Sequence, residues 1–114
     1  MTTITKVKID PLIKEALEQA KKRIKEKFEV DSLILFGSVS RGDFGDESDV
    51  DILIISKRIL SREERHKITY IVFEINLEFG SNLSAIVVDK DSWENGLFSF
   101  LPIKMEVERD GIII

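Results

Sequence analysis

Two runs of strand length, Leu33-Ile34-Leu35-Phe36 and Val50 to Ile55, are apolar at consecutive positions except for a single acid, Asp51. A strand with one face in water would carry a polar residue at every second position, so runs like these belong to strands covered on both faces. The rest of the chain must then supply the cover. Asp10-Pro11 places an N-cap and a first-turn proline in sequence. After it, Ile13, Ala16, Leu17, Ala20, Ile24 and Phe28 recur at three- and four-residue spacing, which predicts an amphipathic helix from Pro11 to Phe28. Ser61 with Glu64 forms a capping box, opening a second helix whose inner stripe is Ile68, Ile71, Val72, Ile75 and Phe79 and whose stop is Gly80. Leu83 to Val88 reads as a third strand, and Leu101 to Arg109 as a last helix stopped by Gly111 before a short Ile112-Ile113-Ile114 strand. Helices between strands predict an α/β (α+β) fold: a small mixed β-sheet with helices packed on it.

The chain of 114 residues is expected to form a single domain over residues 1–114, leaving no room for a separate substrate-binding module. Charged residues make up 33% of it, above the usual share of about 25%, while 43% hydrophobic residues exclude whole-chain disorder. Seventeen basic against twenty-one acidic residues give a net charge of −4, which argues against nucleic acid held by bulk charge. No cysteine is present, which excludes disulfides, thiolate metal sites and a cysteine nucleophile. The single histidine, His66, lies in a charged first turn and reads as a surface residue. With no apolar run of the ~20 residues a bilayer requires, a cytoplasmic protein with no membrane partner is expected.

The chemistry concentrates between Gly37 and Ile54. A buried strand running into Gly37-Ser38 presents backbone N–H groups and a hydroxyl, an arrangement that suits phosphate oxygens. Gly37 to Gly42 has P-loop glycine spacing, but Asp43 stands where a P-loop needs Lys, and no Ser or Thr follows, so that motif is rejected. Asp49 and Asp51 are two residues apart at the mouth of a strand. Period-two alternation puts both carboxylates on one face and Val50 on the other. Paired carboxylates beside a phosphate cradle suit Mg²⁺, which takes oxygen ligands and shares them with substrate phosphates.

GSxxRG followed by SDxD and an apolar strand resembles the signature of the DNA polymerase β nucleotidyltransferase superfamily, in its minimal nucleotidyltransferase branch. The resemblance implies a polymerase-β palm-like fold. It implies that Gly37 and Ser38 contact the triphosphate of ATP or another nucleoside triphosphate, with Arg41 and Gly42 in the supporting short helix. It makes Asp49 and Asp51 the catalytic carboxylates and the ligands of two Mg²⁺ ions. The expected reaction is transfer of a nucleoside monophosphate to a hydroxyl acceptor. The family usually adds a third carboxylate on a neighbouring strand. Here Ser84 and Ala85 stand at that point, Asp89 lies at the strand's far end, and Glu74 and Glu78 belong to the preceding helix.

For a chain without an acceptor module, the resemblance implies a partner protein, typically a small helical protein of the HEPN type in a toxin–antitoxin pair, or a homo-oligomer. Two alternatives stay open. One is a catalytically weak or inactive nucleotide- or partner-binding module of the same fold. The other is transfer to a small molecule such as an aminoglycoside. Trp93, Phe98 and Phe100 read as core cover or an oligomer interface rather than a stacking platform.

Overall fold

The computed structural model describes residues 2–3, 9–37 and 49–114, with side chains from residue 9 onward. In chain order the elements are β1 (Thr2–Thr3), α1 (Pro11–Lys27), β2 (Val30–Phe36), β3 (Val50–Ser56), α2 (Arg62–Phe79), β4 (Leu83–Asp89), α3 (Lys90–Glu94), a 3-10 turn (Leu97–Phe100), α4 (Pro102–Asp110) and β5 (Ile112–Ile113). The strands form one mixed sheet in the order β1-β5-β2-β3-β4. β2 and β3 are antiparallel, while β3 and β4 are parallel and joined by α2, as a helical crossover requires.

The two long helices start and stop where the sequence places their caps. Asp10 accepts a hydrogen bond from the Leu12 N–H at 2.8 Å, and Pro11 takes the first turn of α1. In α2 the capping box is closed in both directions: Ser61 Oγ accepts from Glu64 N–H, and Glu64 accepts from Ser61 N–H, each at 3.1 Å. Gly80 ends α2 in the left-handed region at φ +62°.

Alternation in the strands divides the core in two. Leu33, Leu35, Val50, Ile52 and Ile54 face α1 and α2, where Leu17, Ile24, Ile68 and Ile75 are fully buried. Ile34, Phe36, Leu53, Ile55 and Val88 face the other way and meet Trp93 and Val107. Fully burying each such side chain contributes about 1.5–3 kcal/mol, which is why neither face of β2 or β3 tolerates a polar run. The second face is covered only toward one end. Toward the end where β3 begins, Asp51 is half-buried and Ser84 and Ile86 on the same face are exposed.

Several boundaries differ from the sequence expectation. β2 begins at Val30, earlier than Leu33, because Val30 and Ser32 pair with Ser56 and Ile55 across a register shift that absorbs Asp31. α3 is not among the elements expected from the sequence. It forms because the Asp89 carboxylate caps it, accepting from Ser92 N–H at 2.9 Å and Ser92 Oγ at 2.7 Å. Trp93 is buried and Phe98 packs on it, with ring centroids 6.4 Å apart, in agreement with the core-cover reading, whereas Phe100 is largely exposed. Among the described residues, no helix is long and apolar enough to cross a membrane.

Candidate active site

β2 delivers Gly37 and β3 delivers Asp49 and Asp51 to the same end of the sheet. Phe36 is the cross-strand partner of Asp51, so Gly37 follows directly beside that carboxylate. Gly37 is buried and sits at φ +81°, a conformation that a side chain disfavours. The position its Cβ would occupy is 3.3 Å from Asp51 Cγ and 3.5 Å from Asp51 Cβ. The glycine thus lets the backbone turn and leaves the space the carboxylate fills.

Asp49 and Asp51 share a face. Val50 between them is buried against the helices α1 and α2, and the parity of Asp51 is that of Leu53 and Ile55 on the opposite side. Asp51 is half-buried and Asp49 exposed. Within β3, Asp51 thus lies opposite to Val50 and Ile52. Of the other residues expected in the site, Ser38, Arg41 and Gly42 lie outside the described residues.

Asn82 is not among the residues expected in the site, yet its Nδ2 donates to Asp49 Oδ1 at 2.6 Å. Its own backbone carbonyl accepts from Val50 N–H at 2.9 Å, which pins the loop before β4 to the start of β3. Next to it, Asn76 accepts from Leu83 N–H and Ser81 Oγ at 2.8 Å and donates to the Leu83 carbonyl at 3.0 Å. The loop from α2 into β4 is therefore held at both ends, and Asn82 fixes one oxygen of Asp49. No local motif announces this contact, because it joins residues thirty-three positions apart.

The neighbours of Asp51 decide how many acids the site holds. Across the parallel pair, Asp51 is level with Ser84, on the same face. Asp89 is level with Ser56, five residues further along and about 16 Å away at ~3.3 Å per residue. Hydrogen bonds from Ser92 hold its carboxyl below the usual range, so it is committed to capping α3. Glu74 and Glu78 project from α2 on the opposite face of the sheet, and Glu78 pairs with Arg23 at 2.8 Å. Neither substitutes for the missing acid. Among the described residues no three metal-ligating side chains cluster. The donor set present, two carboxylates with hard oxygens, still fits Mg²⁺, which commonly takes one or two protein carboxylates and completes its shell with water and substrate phosphate.

The residues from 17 to 114 match the family model described as a nucleotidyltransferase domain. A Methanocaldococcus jannaschii protein provisionally named a protein adenylyltransferase is 37% identical over 84 residues, covering 74% of this chain and 83% of the relative. A second of that name from the same organism is 38% identical over 84 residues, covering 70% of this chain and 57% of the relative. Among solved structures, a Sulfolobus solfataricus protein provisionally named a nucleotidyltransferase superposes with a TM-score of 0.50 at 21% identity, covering 95% of this chain and 89% of that one. A toxin–antitoxin solved with AMP-PNP superposes with a TM-score of 0.59 at 18% identity, covering 84% and 69%. These two likenesses show the fold.

Proposed function

The chain belongs to the nucleotidyltransferase domain family, and on that premise we propose that it binds ATP or another nucleoside triphosphate with Mg²⁺ and transfers the nucleoside monophosphate to a hydroxyl, the acceptor being a partner protein. The observation that carries this reading is the contact between the left-handed Gly37 turn and the Asp51 carboxylate, with Asp49 on the same face. Gly37, where the expected phosphate cradle begins, thus stands beside the expected metal carboxylate.

In this reading the backbone of Gly37 and Ser38 receives the triphosphate, and Arg41 and Gly42 support that turn. Asp49 and Asp51 hold the divalent cation, with Asn82 setting the orientation of Asp49. Bound Mg²⁺ would lower the pKa of the acceptor hydroxyl and neutralise charge on the departing pyrophosphate. The acceptor oxygen attacks the α-phosphorus in line, its proton passes to water, and the bond from that phosphorus to the bridging oxygen of pyrophosphate breaks. The names of the M. jannaschii relatives favour a protein acceptor, and the toxin–antitoxin neighbour accords with a partner in such a pair, for which the sequence resemblance implies a small helical protein of the HEPN type. A single domain spanning residues 1–114 with a cytoplasmic location accords with this assignment.

The test is Mg²⁺-dependent transfer of label from α-labelled ATP to a co-expressed partner. Wild type should label the partner and Asp51→Asn should abolish it. Labelling that survives Asp51→Asn removes the proposed metal site. Ser84 beside Asp51 favours a second reading, a module that binds nucleotide or partner with little or no turnover. Saturable Mg·ATP binding by a wild type that never transfers label would select it.

A further inference from the structure

Strand β4 ends the sheet. One edge pairs with β3 in unbroken register from Val50–Leu83 to Ser56–Asp89. The other faces no strand among the described residues; Asn76 already takes the outward N–H and C=O of Leu83, which leaves those of Ala85 and Val87 pointing out of the sheet. Natural edge strands are blunted by lysine, proline, a bulge or short length. β4 has none of these: it is seven residues long, and the run Ser84-Ala85-Ile86-Val87-Val88 carries no charge and no proline.

A groove runs along this edge, lined by Ala85 and Val87 of β4 and by Arg62, Arg65, His66 and Thr69 of α2. Among the described residues neither Arg62 nor Arg65 makes an ion pair. Both stand in the first turns of α2, where the helix dipole adds positive potential. The nearby acids are already engaged. Glu64 bonds Ser61 and Arg58, and Glu63 lies 3.8 Å from Lys67. A strand added to β4 would direct every second side chain toward α2 and these arginines. The matching segment is extended, with acids at alternate positions.

We propose that the open edge of β4 takes up an extended, acidic segment of a partner protein as an additional strand, with its alternate carboxylates on Arg62 and Arg65. Main-chain hydrogen bonds supply the docking, and the arginines select the partner. A second copy of this chain matches less well. Two β4 strands laid antiparallel would turn Leu83, Ala85 and Val87 toward the helices, and the acid of that parity, Asp89, is held by Ser92. The proposal stands on the strand edge and is independent of the nucleotide site.

The experiment is fluorescence anisotropy of the full chain with a labelled synthetic peptide in which Glu alternates with Val. Saturable binding is expected. Arg62→Glu with Arg65→Glu, both exposed, should weaken it about tenfold or more. N-methylation of alternate peptide amides should abolish it, and replacing Glu by Lys should do the same. Circular dichroism checks that the double variant folds. Absence of saturable binding overturns the proposal, as does equal binding by the methylated or the Lys peptide, or indifference to the double variant. The chain has no cysteine, so Ile86→Cys reports a competing occupant. A disulfide-linked dimer forming rapidly at that site assigns the edge to a second copy and also overturns the proposal.

Discussion

The Cβ position at Gly37 and the carboxylate of Asp51 occupy one another's space: Asp51 Cγ is 3.3 Å from where that Cβ would be. Gly37→Ala therefore meets two penalties. Its φ of +81° costs an L-residue about 1–2 kcal/mol, and the new methyl must push Asp51 aside. Gly80 separates these effects, since it sits at φ +62° with nothing within 4 Å of where its Cβ would be. Urea denaturation should find Gly80→Ala destabilised by about 1–2 kcal/mol and Gly37→Ala destabilised by more. Titration with Mg·ATP should find binding lost in Gly37→Ala and retained in Gly80→Ala. Intact nucleotide binding in folded Gly37→Ala would show that the carboxylate position is unimportant.

Asn82 holds Asp49 by one short hydrogen bond, 2.6 Å, made to a charged acceptor. Such bonds contribute about 1.5–3 kcal/mol when sheltered, and less at an exposed site like this one. Asn82→Ala frees the carboxylate to rotate without removing it. The expected result is a several-fold higher Mg²⁺ requirement for nucleotide binding, with the thermal midpoint nearly unchanged. Asn82→Asp should be worse than Ala, because it sets a second negative charge against Asp49 with no proton to donate. A Mg²⁺ requirement identical to wild type in both variants would remove Asn82 from the site.

The parts of the fold that are legible in the sequence are those specified locally. The caps Asp10, Ser61 and Gly80 act within one helical turn, and the apolar stripes of α1 and α2 follow a single period, so both helices can be read directly. The facing of Asp49 and Asp51 follows from strand alternation in the same way. What escapes such a reading is set by partners distant in sequence. Val30 and Ser32 are strand residues because β3 lies beside them, and Asn82 matters because the β3–β4 register brings it to Asp49. Asp89 reads from sequence as an acid at a strand end. The signal for its real role is Ser92 three residues on, the spacing of an N-cap.

The pH dependence of stability should carry the mark of Glu64. Hydrogen bonds from the Arg58 guanidinium, followed by that from the Ser61 N–H, lower its pKa from an ordinary 4.5 to about 2. A carboxyl depressed in the folded state contributes its stabilisation in full above its unfolded value and loses it as pH falls toward the folded one. The loss should therefore lie between pH about 4.5 and about 2. Glu64→Gln keeps an acceptor for the capping box but has no charge to titrate. Its stability against pH should be flatter than that of wild type within this window and parallel to it above. Parallel curves throughout would mean that the Arg58 pair is not formed in solution.

Ser84 is the position at which a single substitution tests whether the site is incomplete. It lies level with Asp51 on the adjacent parallel strand and on the same face, at the usual spacing of about 4.8 Å. Ser84→Asp would add a carboxylate there without altering the sheet, since Ser84 is exposed. Without metal the new charge repels Asp51, and side-by-side like charges on neighbouring strands destabilise by up to about 1 kcal/mol. With Mg²⁺ the same charge becomes a ligand. Thermal melts should place Ser84→Asp below wild type in chelator and closer to it, or above it, in Mg²⁺. Ser84→Asn, which is matched in size but uncharged, should show no such metal-dependent gain. Label transfer from α-labelled ATP should rise in Ser84→Asp if the two-carboxylate site limits turnover. Identical responses to Mg²⁺ in the Asp and Asn variants would mean that position 84 does not face the metal and has no part in the chemistry.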